Sequence, residues 1–361
     1  MEAGVGEGQL VKHAKTEKEH GDRTPRRRAT SYDVAEMAGV SQSAVSRVFQ
    51  PGASASKDMR DRVVSAANKL GYRPNAIARG LITQRSNMVA VVISRQTNLY
   101  YPEVLVQLTQ RFSEHGIRVL LFTLDHERDI DSVLDQVLQY QVDGVVTAAI
   151  LTSEQLDTIE SADIPVIFYN RTLPERLVNS VRCDQEEGER WLVSELVSAG
   201  HKRFAIVTGP SDSSVSLERT RGALQKLQEL NIDDPLIVSG DYSYASGRAA
   251  FAEIARSMDS LPDAVIATND VMAIGCVDEA REVNLVRVPE DISIVGFDGV
   301  GPARYAAYDL CTVRQPVGRM SEAAVSMLIE RIENPDLTPE KRVFSGDRIR
   351  GRSARLAGIE S

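Results

Sequence analysis

The sequence predicts a small all-α head followed by an α/β core of two doubly wound parallel-sheet lobes. Three observations carry this expectation. Short helical segments separated by turn residues fill residues 30–70, strands and helices alternate from Asn87 onward, and the charge balance changes sign between the two regions. At about 150 residues per domain, a chain of 361 residues holds two or three units. Hydrophobic residues make up 42% and charged residues 26%, which excludes a wholly disordered, collagenous or coiled-coil chain. No apolar run reaches the length of a membrane-spanning helix. Residues 1–28 are polar and lack the apolar stretch of an export signal, so a cytoplasmic protein is expected. Cys183, Cys276 and Cys311 are odd in number and widely spaced, which suits buried thiols in a reducing compartment and no disulfide framework or zinc site.

The first helix is announced by Thr30, a hydroxyl N-cap with Asp33 three residues on, ahead of Val34, Ala35, Met37 and Ala38. Gly39 supplies a turn, and Ser41 caps a second helix over Gln42–Phe49 whose Ala44, Val45 and Val48 share one face. Pro51-Gly52 ends it. A third helix over Ser56–Leu70 is expected to bury Met59, Val63, Val64, Ala67 and Leu70. Helix, glycine turn and helix at this spacing read as a helix-turn-helix.

From Arg23 to Arg85 there are 12 basic and 4 acidic residues, a net of +8, whereas residues 86–361 carry a net of −15. A basic module on an acidic body points to a polyanion partner for one end only. In a helix-turn-helix the second helix enters the major groove, which exposes Gln42, Ser43 and Arg47 to base edges. Ser41 and Ser46 are placed to donate to phosphates. A solvated basic face is the plain alternative.

The run from Ser31 through Tyr32, Val34, Ala35, Ala38, Gly39, Val40, Ser41, Gln42 and Ser43 to Phe49, with Gly71-Tyr-Arg-Pro-Asn-Ala-Ile-Ala-Arg-Gly-Leu81 after it, closely resembles the DNA-binding head of the lactose-repressor (LacI) family. The resemblance implies DNA contacts from Ser31, Tyr32, Ser41, Gln42, Ser43, Ser46 and Arg47. It also implies that Pro74–Leu81 is a hinge helix formed on DNA, with Leu81 as an apolar wedge in the minor groove beside Asn75 and Arg79. A core leucine of a linker helix is the structural alternative for Leu81. The expected organisation is an N-terminal extension at 1–28, read as a disordered arm, a head at 29–73, a hinge at 74–86 and a two-lobed body at 87–361.

In the body, strands are expected at Met88–Ser94, Val119–Thr123, Asp143–Val146, Val166–Tyr169, Phe204–Val207, Leu236–Val238, Ala264–Ala267 and Ile292–Val295. Helices are expected at Pro102–His115, Ile130–Tyr140, Glu154–Ser161, Glu189–Ala199, Glu218–Leu230, Ala245–Arg256 and Asp270–Glu282. Repeated βα units make parallel sheets covered on both faces, and the division between lobes falls between Leu156 and Arg190. This architecture resembles periplasmic sugar-binding proteins and the LacI family's regulatory core.

Ligands of open α/β sheets bind beyond the carboxyl ends of strands. Those ends carry Asn98-Leu99-Tyr100-Tyr101, Asn170-Arg171, Asp184, Asp241-Tyr242, Asn269-Asp270 and Phe297-Asp298. The resemblance makes Arg219, Asn269 and Asp298 effector-binding residues and Tyr242 a stacking aromatic; Tyr100, Tyr101 and Asp184 join them by position. An arginine fork, paired oxygens and a tyrosine face suit a sugar or sugar derivative, neutral or acidic. Asp270 reads as a helix cap, Tyr100 or Tyr101 could serve the core or a dimer interface, and Arg219 with Asp298 could be a structural ion pair.

Enzyme motifs are missing. The glycines at Gly4, Gly6 and Gly8 follow no strand, no phosphate-binding loop or nucleophile elbow occurs, and the five histidines have no metal spacing. No cofactor is expected. A plain solute-binding protein would account for Asn87–Ser361 but leaves the basic head unexplained. The expected partners are near-palindromic operator DNA, a small-molecule effector and a second copy of the chain. A homodimer is expected because the C-terminus has no heptads for a larger assembly.

Overall fold

The computed structural model describes residues 29–50, 54–73, 85–94, 99–124, 129–173, 175–257 and 260–357. The chain divides into two compact units, 1–79 and 80–361. Asn75, Arg79 and Leu81 of the expected hinge, the extension at 1–28 and Asn98 lie outside the described residues.

In the first unit, α1 (Ser31–Ala38) starts from the expected capping box, in which the Asp33 carboxylate accepts from the Thr30 amide at 2.7 Å. Gly39 adopts φ +63°, a left-handed conformation that glycine enters without a Cβ clash, and turns the chain into α2 (Gln42–Val48). Ser41 caps α2 through the Ala44 amide, and Ser56 caps α3 (Lys57–Leu70). Val34, Ala38, Val45, Val48, Val63 and Ala67 close one small core. Two arginines of α3 are structural: Arg62 donates to the Ala38 carbonyl and Arg60 to the Val48 carbonyl, so they hold the C-terminal ends of α1 and α2. Val64, expected to be buried, is exposed, because the helical step sets it beside Asp61 and Asn68 on the solvent face.

The second unit begins with β1 (Met88–Ser94), α4 (Tyr101–Glu114), β2 (Arg118–Leu124), α5 (Ile130–Gln139), β3 (Gly144–Thr147), α6 (Ser153–Glu160), β4 (Val166–Tyr169) and β5 (Ser180–Cys183). It continues with α7 (Gln185–Ser198), β6 (Phe204–Thr208), α8 (Ser214–Glu229), β7 (Leu236–Ser239), α9 (Tyr244–Ser257), β8 (Ala264–Ala267), α10 (Asp270–Glu282) and β9 (Ser293–Asp298). A 3₁₀ turn at Gly301–Arg304 precedes β10 (Cys311–Arg314), α11 (Val317–Glu333), β11 (Lys341–Phe344) and β12 (Asp347–Ile349). The runs β1, β3, β4, β6, β8 and β9 are rich in valine, isoleucine and alanine and buried on both faces, as central parallel strands must be.

The first sheet has the order β11-β5-β4-β3-β1-β2 and is parallel throughout; the second has the order β12-β10-β9-β8-β6-β7, parallel except where β12 meets β10. In each lobe the strand order reverses between its first and third strands (β1/β3 and β6/β8), which opens a crevice at their carboxyl ends. The alternation legible in sequence stops at β9. The chain then returns to the first lobe: α11 lies on β3, β4, β5 and α4, and β11 joins β5, before β12 re-enters the second sheet. The chain passes between lobes after β5, after β10 and after β11, so the second lobe is not a simple C-terminal half. The first passage, at Asp184, lies within the expected Leu156–Arg190 interval. Helix α7 starts four residues before the expected Glu189, because Asp184 caps it by accepting from the Glu187 amide.

Candidate functional site

On the head, the α2 segment presents Ser43, Ser46 and Arg47 to solvent, and Tyr32 of α1 is 72% exposed. Gln42 is half-buried, its amide donating to the Ser31 hydroxyl at 3.3 Å, which ties the first turn of α2 to that of α1. The Ser41 and Ser43 hydroxyls lie 2.9 Å apart. The α2 N-terminus therefore carries a compact polar edge ending in a cation.

In the body, a cleft of about 390 Å³ of unfilled space, part of it continuous with solvent, lies between the lobes. Tyr100, Tyr101, Asn170 and Arg171 line it from the first lobe; Ser213, Arg219, Tyr242 and Asp298 line it from the second, and Gln315 lies on a crossing segment. Tyr100 and Tyr101 stand just beyond β1 with their rings edge to face, centroids 5.3 Å apart. Tyr242 follows β7, and its ring presses on Gly209, where a Cβ would come within 2.3 Å of it; only glycine admits that approach. The Tyr242 and Ser213 hydroxyls lie 3.3 Å apart.

Arg219 projects from α8 into the floor of the cleft, almost fully buried. Its Nη2 donates to Asp298 Oδ1 at 2.7 Å, its Nη1 to the Thr268 carbonyl at 2.6 Å and its Nε to Gln185 Oε1 at 2.8 Å. Its guanidinium also lies 3.9 Å over the Phe297 ring. Burial opposes the charge, and the Asp298 carboxylate more than restores it, so Arg219 is held above its ordinary range. Gln315 donates to Asp298 Oδ1 at 2.7 Å, Asn170 donates to Gln315 Oε1 at 2.7 Å, and Gln185 donates to Asn170 Oδ1 at 3.4 Å. Asn170, Gln315, Asp298, Arg219 and Gln185 thus close a ring of buried hydrogen bonds that spans both lobes.

Three residues at the cleft hold backbone conformations that L side chains rarely adopt: Asn170 at φ +52°, Tyr242 at φ +70° and Asp298 at φ +116°. Such conformations cost on the order of 1–3 kcal/mol each and persist where surrounding bonds enforce them. Two further contacts join the lobes at the cleft's margins: Arg314 with Glu103 at 3.0 Å, and Arg182 with Glu218.

Two of the expected site residues are placed elsewhere. Asp184 spends its carboxylate capping α7 and does not line the cleft. Asn269 is fully buried, capping α10 through the Met272 amide while its side-chain NH₂ donates to the Tyr242 carbonyl, so it supports the Tyr242 loop from behind. Asp270, expected as the cap, instead accepts from the Thr312 hydroxyl at 2.6 Å and the Val300 amide at 2.9 Å. Burial and the neighbouring Asp298 charge push its carboxyl up to about 8. Glu189 of α7 is wholly buried, neither of its oxygens has a hydrogen-bond partner among the described residues, and burial pushes it up to about 8 as well. Sequence reasoning missed Gln185, Ser213 and Gln315. Gln315 was findable: it follows the β-branched run Cys311–Arg314 and precedes Pro316, the signature of a strand end.

Comparison with known proteins follows the same division of the chain. Residues 30–75 match the family described as bacterial regulatory proteins, lacI family, and residues 193–354 match the periplasmic binding protein-like domain. The HTH-type transcriptional regulator AscG of Escherichia coli (strain K12) is 33% identical over 331 residues, covering 89% of this chain and 97% of its own. The lac repressor dimer bound to operator and the anti-inducer ONPF superposes with a TM-score of 0.83 at 25% identity, covering 92% of this chain and all of that one. The transcriptional regulator CelR–cellobiose complex gives 0.69 at 28% identity, covering 91% and 100%. A basic three-helix head, a two-lobed body with a polar cleft and full-length kinship of this kind have one reading: the chain belongs to the lacI family of bacterial regulatory proteins, and is a DNA-binding transcriptional regulator with an effector-binding body rather than an enzyme.

Proposed function

We propose that this chain is a cytoplasmic, homodimeric repressor whose grip on operator DNA is set by a sugar or sugar derivative bound between the lobes. Each head, taken as residues 29–73, lays α2 in a major groove. Arg47, Gln42 and Ser43 face base edges, while Ser31, Tyr32, Ser41 and Ser46 lie against the backbone. Residues 74–86 serve as the hinge in this reading, with Leu81 as a wedge in the minor groove beside Asn75, Arg79 and the dimer mate. Residues 87–361 form the sensing body.

The observation that carries this reading is the buried ring Asn170–Gln315–Asp298–Arg219–Gln185, because it makes the cleft floor and the lobe junction one structure. A ligand that bonds to these groups differently in two lobe arrangements shifts the balance between them, by about 1–3 kcal/mol in typical cases. Tyr101, Tyr100 and Tyr242 supply aromatic faces for a sugar ring. Among the described residues no helix is long and apolar enough to cross a membrane.

The test is selection of duplexes from a random-sequence pool by the full chain, followed by anisotropy titrations with and without a sugar panel. A near-palindromic site, a steep salt dependence and a sugar that shifts the affinity at least about fivefold are expected. Operator affinity that survives removal of every residue before Asn87 would overturn the assignment of the head.

A further inference from the structure

The charges around the cleft do not cancel. Arg219 is neutralised by Asp298 at 2.7 Å, and Arg182 by Glu218 beside it. Arg171 also lines the cleft, and among the described residues no carboxylate lies within ion-pair distance of it. Its Nη1 donates to the Asn170 carbonyl at 3.0 Å, and its Nε is shut away from solvent with no hydrogen-bond partner among the described residues. A cation that lines a cleft with no carboxylate partner among the described residues keeps donors for a further acceptor.

The position of Arg171 says where that acceptor comes from. It sits immediately after Asn170, whose φ of +52° turns the chain out of β4 into the cleft. Asn170 is fixed by the Cys183 amide, Tyr100 and Gln315, so the base of the Arg171 side chain is held from three sides. The hydroxyls of Ser213 and Tyr242 line the same cleft. One fork-shaped cation, two hydroxyls and no compensating carboxylate form a receptor for an anion. By contrast, Arg219 already spends donors on Asp298, Gln185 and Thr268, so its charge serves the lobe junction.

We infer that the effector is an anion, a sugar carrying a carboxylate or a phosphate, and that Arg171 is the residue that selects it. This rests on the proposed role of the cleft as the effector site. The ring lies against the tyrosines, and its acidic group accepts from the Arg171 guanidinium and the adjacent hydroxyls.

Calorimetric titration of the full chain with hexoses, the matching hexuronates and the matching hexose 6-phosphates tests it. At least one acid should bind about tenfold or more tightly than its neutral counterpart. The carboxylate and phosphate arms identify which acid the cleft prefers. Arg171→Gln should abolish that preference, and Arg171→Lys should restore part of it, because a point charge replaces the fork. Equal or tighter binding of the neutral sugars, an acid preference that persists in Arg171→Gln, or no binding by any acid would overturn the inference. The regulator reading fails separately, if the chain binds its selected duplex and no sugar, charged or neutral, alters that affinity.

Discussion

Arg219 and Asp298 form an ion pair at 2.7 Å with both side chains almost wholly out of solvent. Their partners on either side, Gln185 and Gln315, sit on the two segments where the chain passes between lobes after β5 and after β10. The pair is therefore part of the joint between the lobes as well as part of the cleft wall. Breaking it by Arg219→Ala leaves a buried carboxylate without its cation, which typically costs about 3–5 kcal/mol. Chemical denaturation of the body should show that loss. The double variant Arg219→Met/Asp298→Leu should recover much of it, and a double variant no more stable than Arg219→Ala would show that the pair does not act as a unit.

Glu189 and Asp270 give the body a pH response of definite sign. Both carboxyls are pushed up to about 8 in the folded chain, from near 4 when unfolded. The folded state then keeps protons that the unfolded state has already lost, so stability falls as pH rises through 8. The slope is at most about 1.4 kcal/mol per pH unit for each group. Urea midpoints at pH 7 and pH 8 should differ accordingly. Glu189→Gln, which keeps the shape and cannot ionise beside Asp298 and Asp270, should reduce the difference by about half. An unchanged difference would remove Glu189 from the account.

At the head, Arg47 is the exposed cation one turn into α2, where a base-edge contact would sit. Arg47→Ala should weaken operator binding by about 1–3 kcal/mol and relax selectivity at one base-pair position of each half-site. Binding measured against a set of single-base operator variants checks this. A uniform loss across all variants, with a lower salt slope, would instead make Arg47 a phosphate contact.

The margins of the cleft are held by Arg314–Glu103 and Arg182–Glu218. The first pair is partly exposed, and such a pair typically contributes no more than about 1 kcal/mol to stability, but both restrain the lobe angle. Glu103→Gln combined with Glu218→Gln should raise the radius of gyration seen by X-ray scattering. No expansion would mean that the buried ring alone sets the angle.

Much of this was legible because local chemistry and tertiary need agree. Thr30 with Asp33, Gly39 and Ser41 specify the head's turn within a dozen residues, and valine-rich runs cannot be satisfied outside a buried sheet. Strand-end positions located Tyr100, Tyr101, Tyr242 and Asp298 at the cleft, and the family resemblance located Arg219. What stayed hidden depends on distant pairing. The strands β10, β11 and β12 are short, and β11 and β12 are half-exposed, so they make sense only beside β9, β5 and β10. Gln185 and Gln315 look like ordinary surface amides until the fold sets them across a buried carboxylate and an asparagine. Asp184 and Asn269 could have been read as caps, since each directly precedes a helix, and that competing use of a short polar side chain is what took them out of the cleft.

The return of the chain through α11 and β11 has a final consequence. Neither lobe is encoded by one unbroken stretch of residues, so the two cannot be separated by a single cleavage or exchanged as contiguous cassettes. Ending the polypeptide after Glu333 would strip β11 from one sheet and β12 from the other at once. The segment from Lys341 to Ile349 acts as a staple driven through both halves, and damage there should be felt as far away as the cleft.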